Sequence, residues 1–176
     1  MEKSWNNSVF VDTHADTKSE TLWYFAYGSN MSSAKFTGSR GIVPIDSVNV
    51  RIPNYILVME IPGLPYSEPS FSSITPRHEL DAECGDVPDV VGVAYLITVA
   101  QYRIVIASEG GGVAYRNVRI KGVPVSEKDE KKVGGSVEVR TLVSGMQRSP
   151  NPRPSARYMV SMVRTSLQFG GMADLG

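Results

Sequence analysis

The sequence predicts an α+β fold, with a mixed or antiparallel β-sheet curled into a small barrel and a few flanking helices. Three observations carry that expectation. Short apolar runs with two-residue alternation recur along the chain, as in Val48-Asn49-Val50-Arg51-Ile52. Only a few stretches have helical spacing and cap residues, the clearest following Thr98 and Ser155. Glycine- and proline-bearing breaks punctuate the runs at Gly28, Pro53-Asn54, Gly110-Gly111-Gly112 and Asn151-Pro152-Arg153-Pro154.

Taken in order, Leu22 to Tyr27 is rich in aromatics and reads as the first strand. Gly28 breaks it, and Ser29 and Asn30 are natural N-cap types for a short helix over Asn30 to Phe36. Ser47 to Ile61 reads as one or two strands interrupted at Pro53-Asn54. Pro62 to Asp89 reads as a long loop holding a short strand at Ser72 to Thr75. Val90 to Ile97 is a strand, and Thr98 caps a helix that runs to about Ser108 and ends in Glu109 and three glycines. Ala114 to Ile120 and Ser136 to Leu142 are further strands, and Ser155 caps a last helix to about Phe169. The charged stretch Glu127 to Lys132 mixes signs and reads as a solvated loop.

A chain of 176 residues fits one domain with a real core. The expected organisation is a flexible segment over 1–21, a single domain over 22–170 and a frayed end over 171–176. Lys plus Arg and Asp plus Glu both number 18, so no electrostatic excess draws the chain to nucleic acid or an anionic membrane. The first residues lack the apolar core of a signal peptide, and no apolar run is long enough to span a bilayer. A soluble, cytoplasmic protein is expected. The lone Cys84 allows no internal disulfide, and with only His14 and His78 beside it no zinc-site spacing exists.

Two places stand out for chemistry. A glycine directly after a strand, at Tyr27-Gly28-Ser29-Asn30, permits a sharp turn and close approach of a ligand. The backbone N–H groups that follow lie at a helix start, where they suit a carboxylate or an oxyanion. A plain strand-to-helix turn explains the same residues. Glu109 follows an apolar helix, and desolvation beside apolar surface favours the protonated form of a carboxylate, the setting of many acid–base groups. A surface glutamate beside a helix end explains it equally well. Glu60, at the end of an apolar strand, reads as a surface residue that could face a cavity. Glu79, Asp81, Glu83 and Asp86 read as solvated, and Asp46 and Asp89 as turn residues.

Taken together these features match a family. Tyr24-Phe25-Ala26-Tyr27-Gly28-Ser29-Asn30-Met31 resembles the opening signature of the γ-glutamylcyclotransferases. Gly92-Val93-Ala94-Tyr95-Leu96 with Glu109-Gly110 resembles their second signature, and Pro154-Ser155-Ala156-Arg157-Tyr158 their Pro-Ser-x-x-Tyr segment. The blocks stand in the family's order from Tyr24 to about Leu167. Within the family, Ser108 to Tyr115 and the Pro-Ser-Ala-Arg-Tyr segment resemble the fungal enzymes of gliotoxin-type (epidithiodioxopiperazine) biosynthesis.

The resemblance implies a γ-glutamylcyclotransferase-like fold and release of 5-oxoproline from the γ-glutamyl group of a glutathione conjugate. It implies Glu109 as the catalytic acid–base group. It implies substrate contacts from Tyr24, Phe25, Ala26, Tyr27, Gly28, Ser29 and Asn30, with Tyr115 and Tyr158 as further contacts. It implies no metal or other cofactor, and a small-molecule partner rather than nucleic acid or membrane. The oligomeric state stays open, a homodimer included. Two alternatives also stay open. One is a same-fold isomerase or cyclase acting on a natural product without a γ-glutamyl group, and the other is a non-catalytic binding module.

Overall fold

The computed structural model describes residues 20–31, 33–63, 69–77, 87–109, 115–145 and 153–170. In chain order the elements are β1 (Thr21–Ala26), a single 3₁₀ turn (Ser29–Met31), α1 (Ser33–Arg40), β2 (Asp46–Ile52), β3 (Tyr55–Pro62) and β4 (Ser70–Pro76). There follow β5 (Val90–Thr98), α2 (Val99–Ser108), β6 (Tyr115–Pro124), α3 (Glu127–Val133), β7 (Val137–Ser144) and α4 (Ala156–Gly170). The expected strands are all present. Cys84, His14 and His78, residues 1–19 of the expected flexible segment over 1–21, and the expected frayed end over 171–176 lie outside the described residues, while Thr21 opens β1.

Five strands close into a barrel in the order β1-β5-β2-β6-β7. Every pairing is antiparallel except the closing one, where β1 lies parallel to β7 with Tyr24 opposite Arg140. Thr141 reinforces that seam by donating its hydroxyl to Phe25 O at 2.8 Å. Hairpin β3–β4 forms a separate two-stranded sheet, attached to the barrel where Ser144 N–H donates to Ser73 Oγ at 2.8 Å.

The two-residue period of a strand splits the core into two parts. Along β1, Phe25 and Tyr27 join Val48, Val50, Ala94 and Val139 inside the barrel. Tyr24 and Ala26 face the other way and pack with Phe36 of α1 and Tyr102 and Val105 of α2. Tyr24 stacks on Phe36, which stacks on Tyr95. Strand β1 is therefore buried on both faces, which is why its run reads as continuously apolar.

The helices are set by their caps. Thr98 and Gln101 form a reciprocal capping box at the start of α2, as the sequence led us to expect at Thr98. Helix α1 starts later and runs further than expected, ending at Arg40. Gly41 then takes a left-handed φ of 62° and its N–H returns to Thr37 O at 3.1 Å. Residues Glu127 to Lys132, expected as a solvated loop, instead form α3. Ser126 caps it by accepting from Asp129 N–H at 3.2 Å. Acidic residues occupy its first turn and Lys131 and Lys132 its last, an order that complements the helix dipole. Among the described residues no helix is long and apolar enough to cross a membrane.

Asp89 does more than form a turn. Its carboxylate accepts from Arg51 Nη1 at 2.8 Å, Arg77 Nη2 at 3.0 Å and the N–H of Asn54 at 3.1 Å. Asn54 holds a left-handed φ of 62° in the turn between β2 and β3, so one carboxylate ties that turn to the end of β4 and the start of β5. The hydrogen bond from Arg77, the largest effect, joins smaller ones from Arg51 and Asn54 to hold the Asp89 carboxyl below its ordinary range against desolvation. A carboxyl depressed on folding stabilises above its unfolded pKa, and that stability is lost as pH falls through the folded value. Asp89→Asn is therefore expected to cost about 1 kcal/mol at neutral pH, after allowance for partial solvent screening. Thermal melts should show a drop of about 2–4 °C at pH 7. The gap should close in acid below the usual carboxylate range. A gap that is constant with pH would show that the charge is not what matters.

Candidate active site

A cavity of about 650 Å³ opens between the end of β1, hairpin β3–β4, the end of α2 and the start of α4. That volume suits a small molecule of tens of atoms. Tyr24, Tyr27, Gly28, Asn30, Glu109, Tyr115 and Tyr158 all line it, so segments far apart in sequence converge on one cavity.

Glu109 is placed by the end of α2. Its N–H still bonds back to Val105 O at 3.1 Å and Ile106 O at 3.2 Å, so its backbone belongs to the last helical turn. Its carboxylate does not sit beside bare apolar surface, as the sequence led us to expect. The buried residues of α2, Tyr102 and Val105, face the core instead. Oε1 of Glu109 accepts from Asn30 Nδ2 at 3.0 Å and from Arg40 Nη2. Arg40 forms a largely covered ion pair with it, the two side chains being 16% and 20% exposed.

Asn30 is fixed from several sides. Met31 N–H closes the 3₁₀ turn on Gly28 O at 3.0 Å, and Met31 O accepts from Tyr95 Oη at 2.5 Å. Asn30 Nδ2 also donates to Tyr24 Oη at 3.2 Å, so both of its hydrogens are committed. Tyr24 is buried and its hydroxyl is pushed up to about 12, chiefly by desolvation. Burial pushes up the hydroxyls of Tyr27 and Tyr115 as well, the Glu109 charge adding to the effect at Tyr115. These three tyrosines are neutral hydroxyl groups at physiological pH. Tyr27 spends its hydrogen on Leu142 O.

The opposite wall comes from hairpin β3–β4 and α4. Tyr158 Oη accepts from Ser72 N–H at 3.2 Å and shares a 2.8 Å hydrogen bond with Ser72 Oγ. Its ring meets Phe71 edge-on, with centroids 5.3 Å apart. Gly28 lies against this pair. A Cβ at that position would sit 2.5 Å from Ser72 Oγ, which gives the glycine a packing reason beyond its turn. Ile61, Pro62 and Phe71 make this side apolar, and Arg157 adds a cation.

Two expected contacts do not line the cavity. Phe25 is fully buried inside the barrel and Ala26 packs in the layer under the helices. Strand alternation turns Phe25 away from its neighbour Tyr24. Ser29 lies in the 3₁₀ turn between Gly28 and Asn30. Glu60, expected at the surface, is only 4% exposed, because β3 is covered on that face and carries an irregularity between Val58 and Ile61. Arg40, Ser72 and Ile61 were not singled out as site residues in the sequence. Arg40 left one trace there, a cation just ahead of a helix-ending glycine. Among the described residues no group of three or more His, Cys, Asp or Glu could hold a metal ion.

Comparison with known proteins bears on this arrangement. No family model matches the chain. Gamma-glutamyl cyclotransferase aclK of Aspergillus oryzae is 43% identical over 145 residues, 78% of this chain and 52% of that protein. Gamma-glutamyl cyclotransferase gliK of Aspergillus fumigatus is 38% identical over 147 residues, 78% of this chain and 54% of that protein. The chain thus spans about half the length of these two relatives. Gamma-glutamyl cyclotransferase verK of Clonostachys rogersoniana is 31% identical over 166 residues, 89% of this chain and 88% of that protein. Among solved structures, a gamma-glutamyl cyclotransferase superposes with a TM-score of 0.61 at 14% identity, over 86% of this chain and 81% of that one. A yeast gamma-glutamyl cyclotransferase specific to glutathione superposes with a TM-score of 0.58 at 13% identity, over 84% and 87% of the two chains. The solved structures share the fold, and the extent and identity of the match to verK show that the chain belongs to the γ-glutamyl cyclotransferase family.

Proposed function

We propose that this chain releases 5-oxoproline from the γ-glutamyl group of a glutathione conjugate, in fungal epidithiodioxopiperazine-type secondary metabolism. The proposed setting is the cytoplasm, where glutathione keeps thiols reduced. The observation that carries the reading is the convergence of Glu109 with the Tyr27-to-Asn30 turn in one cavity.

The reaction is an internal displacement. The α-amino nitrogen of the γ-glutamyl unit forms a bond to its own γ-carbonyl carbon. The bond from that carbon to the neighbouring residue's nitrogen then breaks, leaving the five-membered lactam and a free amine. Nucleophile and electrophile share one molecule, so folding the substrate into the reactive conformer supplies much of the rate. Glu109 takes the proton that the attacking ammonium must shed and returns it to the departing amine, worth about 10²–10⁴-fold. The buried hydroxyl of Tyr24 accepts from Asn30, and among the described residues its own hydrogen has no acceptor, which leaves it available to a developing oxyanion. The apolar side at Ile61, Pro62 and Phe71 suits a bulky conjugate.

The test is to measure 5-oxoproline from glutathione, γ-glutamylalanine and a bulky aromatic glutathione conjugate side by side. The conjugate should turn over fastest. No 5-oxoproline from any of the three would refute the reaction. A preference for free glutathione would refute the substrate class.

A further inference from the structure

We infer that Arg40 is the positioning residue of the site, and that with Asn30 it pins Glu109 by Oε1 alone so that Oε2 is the oxygen that exchanges protons with substrate. The inference rests on Glu109 being the proton-transfer group of the proposed reaction.

The geometry is asymmetric. Both donors, Asn30 Nδ2 and Arg40 Nη2, converge on Oε1. Among the described residues Oε2 has no partner, although the carboxylate lines the cavity and is partly open to it. A carboxylate held through one oxygen has its plane fixed and presents one set of lone pairs to the substrate, which is what a base needs to accept a proton along a defined direction.

Arg40 is well placed to do this because its own position is fixed from both sides. Upstream, Phe36 is buried in the stack of Tyr24, Phe36 and Tyr95. Downstream, left-handed Gly41 ends the helix and Ile42 is fully buried, its N–H returning to Phe36 O at 3.3 Å. The guanidinium therefore projects from a rigid helix end.

Among the described residues, the other ionisable groups facing the site are Tyr24 on β1, Tyr27 just beyond its end, Tyr115 on β6, and Arg157 and Tyr158 on α4. Tyr24 and Tyr115 are neutral at physiological pH. Of the two arginines, Arg40 is the one in contact with the carboxylate. Arg157 is exposed at its position on α4.

The experiment compares Arg40→Met, Arg40→Lys, Arg40→Ala and Glu109→Gln on the same γ-glutamyl substrates. Arg40→Met should lower kcat by about 10²-fold while KM changes little. Arg40→Lys should recover part of kcat. Millimolar guanidinium chloride, set against matched sodium chloride, should restore turnover in Arg40→Ala and do nothing for Glu109→Gln. An Arg40→Met enzyme with unchanged kcat would overturn the inference while leaving the reaction intact. So would one in which KM alone rises, since Arg40 would then bind substrate directly. If the unsubstituted protein forms no 5-oxoproline, the reaction fails, and the inference fails with it as a statement about catalysis. The pairing is then judged by melting temperatures of Arg40→Met, Glu109→Gln and the double variant. Losses that simply add would overturn the pairing too.

Discussion

Glu109→Gln is expected to lower kcat by about 10²–10⁴-fold, while the dissociation constant for a γ-glutamyl substrate changes far less. The substitution keeps shape and volume, so the end of α2 and the cavity should survive it. What changes is the sign of one hydrogen bond. Asn30 and Arg40 both donate to the position of Oε1. A glutamine must therefore turn its carbonyl oxygen toward them and present its NH₂ group where Oε2 stood. That group donates and cannot take a proton from the substrate ammonium. Single-turnover formation of 5-oxoproline and calorimetric titration with a slow substrate separate the two effects. Turnover within tenfold of the unsubstituted protein would remove Glu109 from the chemistry. It would also revive the reading of this fold as a binding module.

Gly92→Ala should be the most damaging single methyl group in the barrel. A Cβ on Gly92 would lie 2.2 Å from Ala26 O and 2.8 Å from two ring carbons of Phe25. The nearest obstacle is backbone, which cannot rotate aside. Phe25 has nowhere to go, being fully buried among barrel residues. Strands β1 and β5 would have to part, breaking a register that runs from Thr21 opposite Thr98 to Ala26 opposite Val93. Overpacking of this kind costs about 3 kcal/mol, at the upper end for an added methyl. The melting temperature should fall by roughly 6–12 °C. Gly38→Ala is the control, because a Cβ there meets nothing within 4 Å and alanine is the better helix former. If Gly92→Ala melts with the unsubstituted protein, the close contact of β5 with β1 is wrong.

Most strands are legible because burial on one or both faces imposes a short period that the residues themselves record. Helix α2 is legible because Thr98 and Gln101 make a local, reciprocal contact three residues apart. Helix α3 also carries a local signal in Ser126 and the order of its charges. It lacks a broad apolar face, and mixed charge without periodicity reads as a loop. Glu60 misleads for a different reason. A strand that continues past an irregularity buries the residue at its apparent end.

The candidate site was legible only in part. The Tyr27-to-Asn30 turn and Glu109 are visible as motifs, but what surrounds Glu109 is not. Arg40 lies 69 positions away from it, and nothing near either residue announces the pair. Phe25 and Tyr24 are adjacent in one motif and belong to different compartments. A motif records which residues occur together, and the folded strand decides which of them reach the cavity: Tyr24 and Tyr27 do, on opposite faces, while Phe25 and Ala26 stay in the core.

The parallel seam between β1 and β7 has a consequence for how the protein acquires activity. Tyr24 meets Arg140 across more than a hundred residues of chain, and such long loops must be closed before the contact stabilises anything. The cavity draws its lining from β1, the first of the described elements, and from α4, the last. A nascent or partly folded chain therefore cannot hold a working site, however much of its local structure has formed. Loss of that seam would silence the protein before its strands melt.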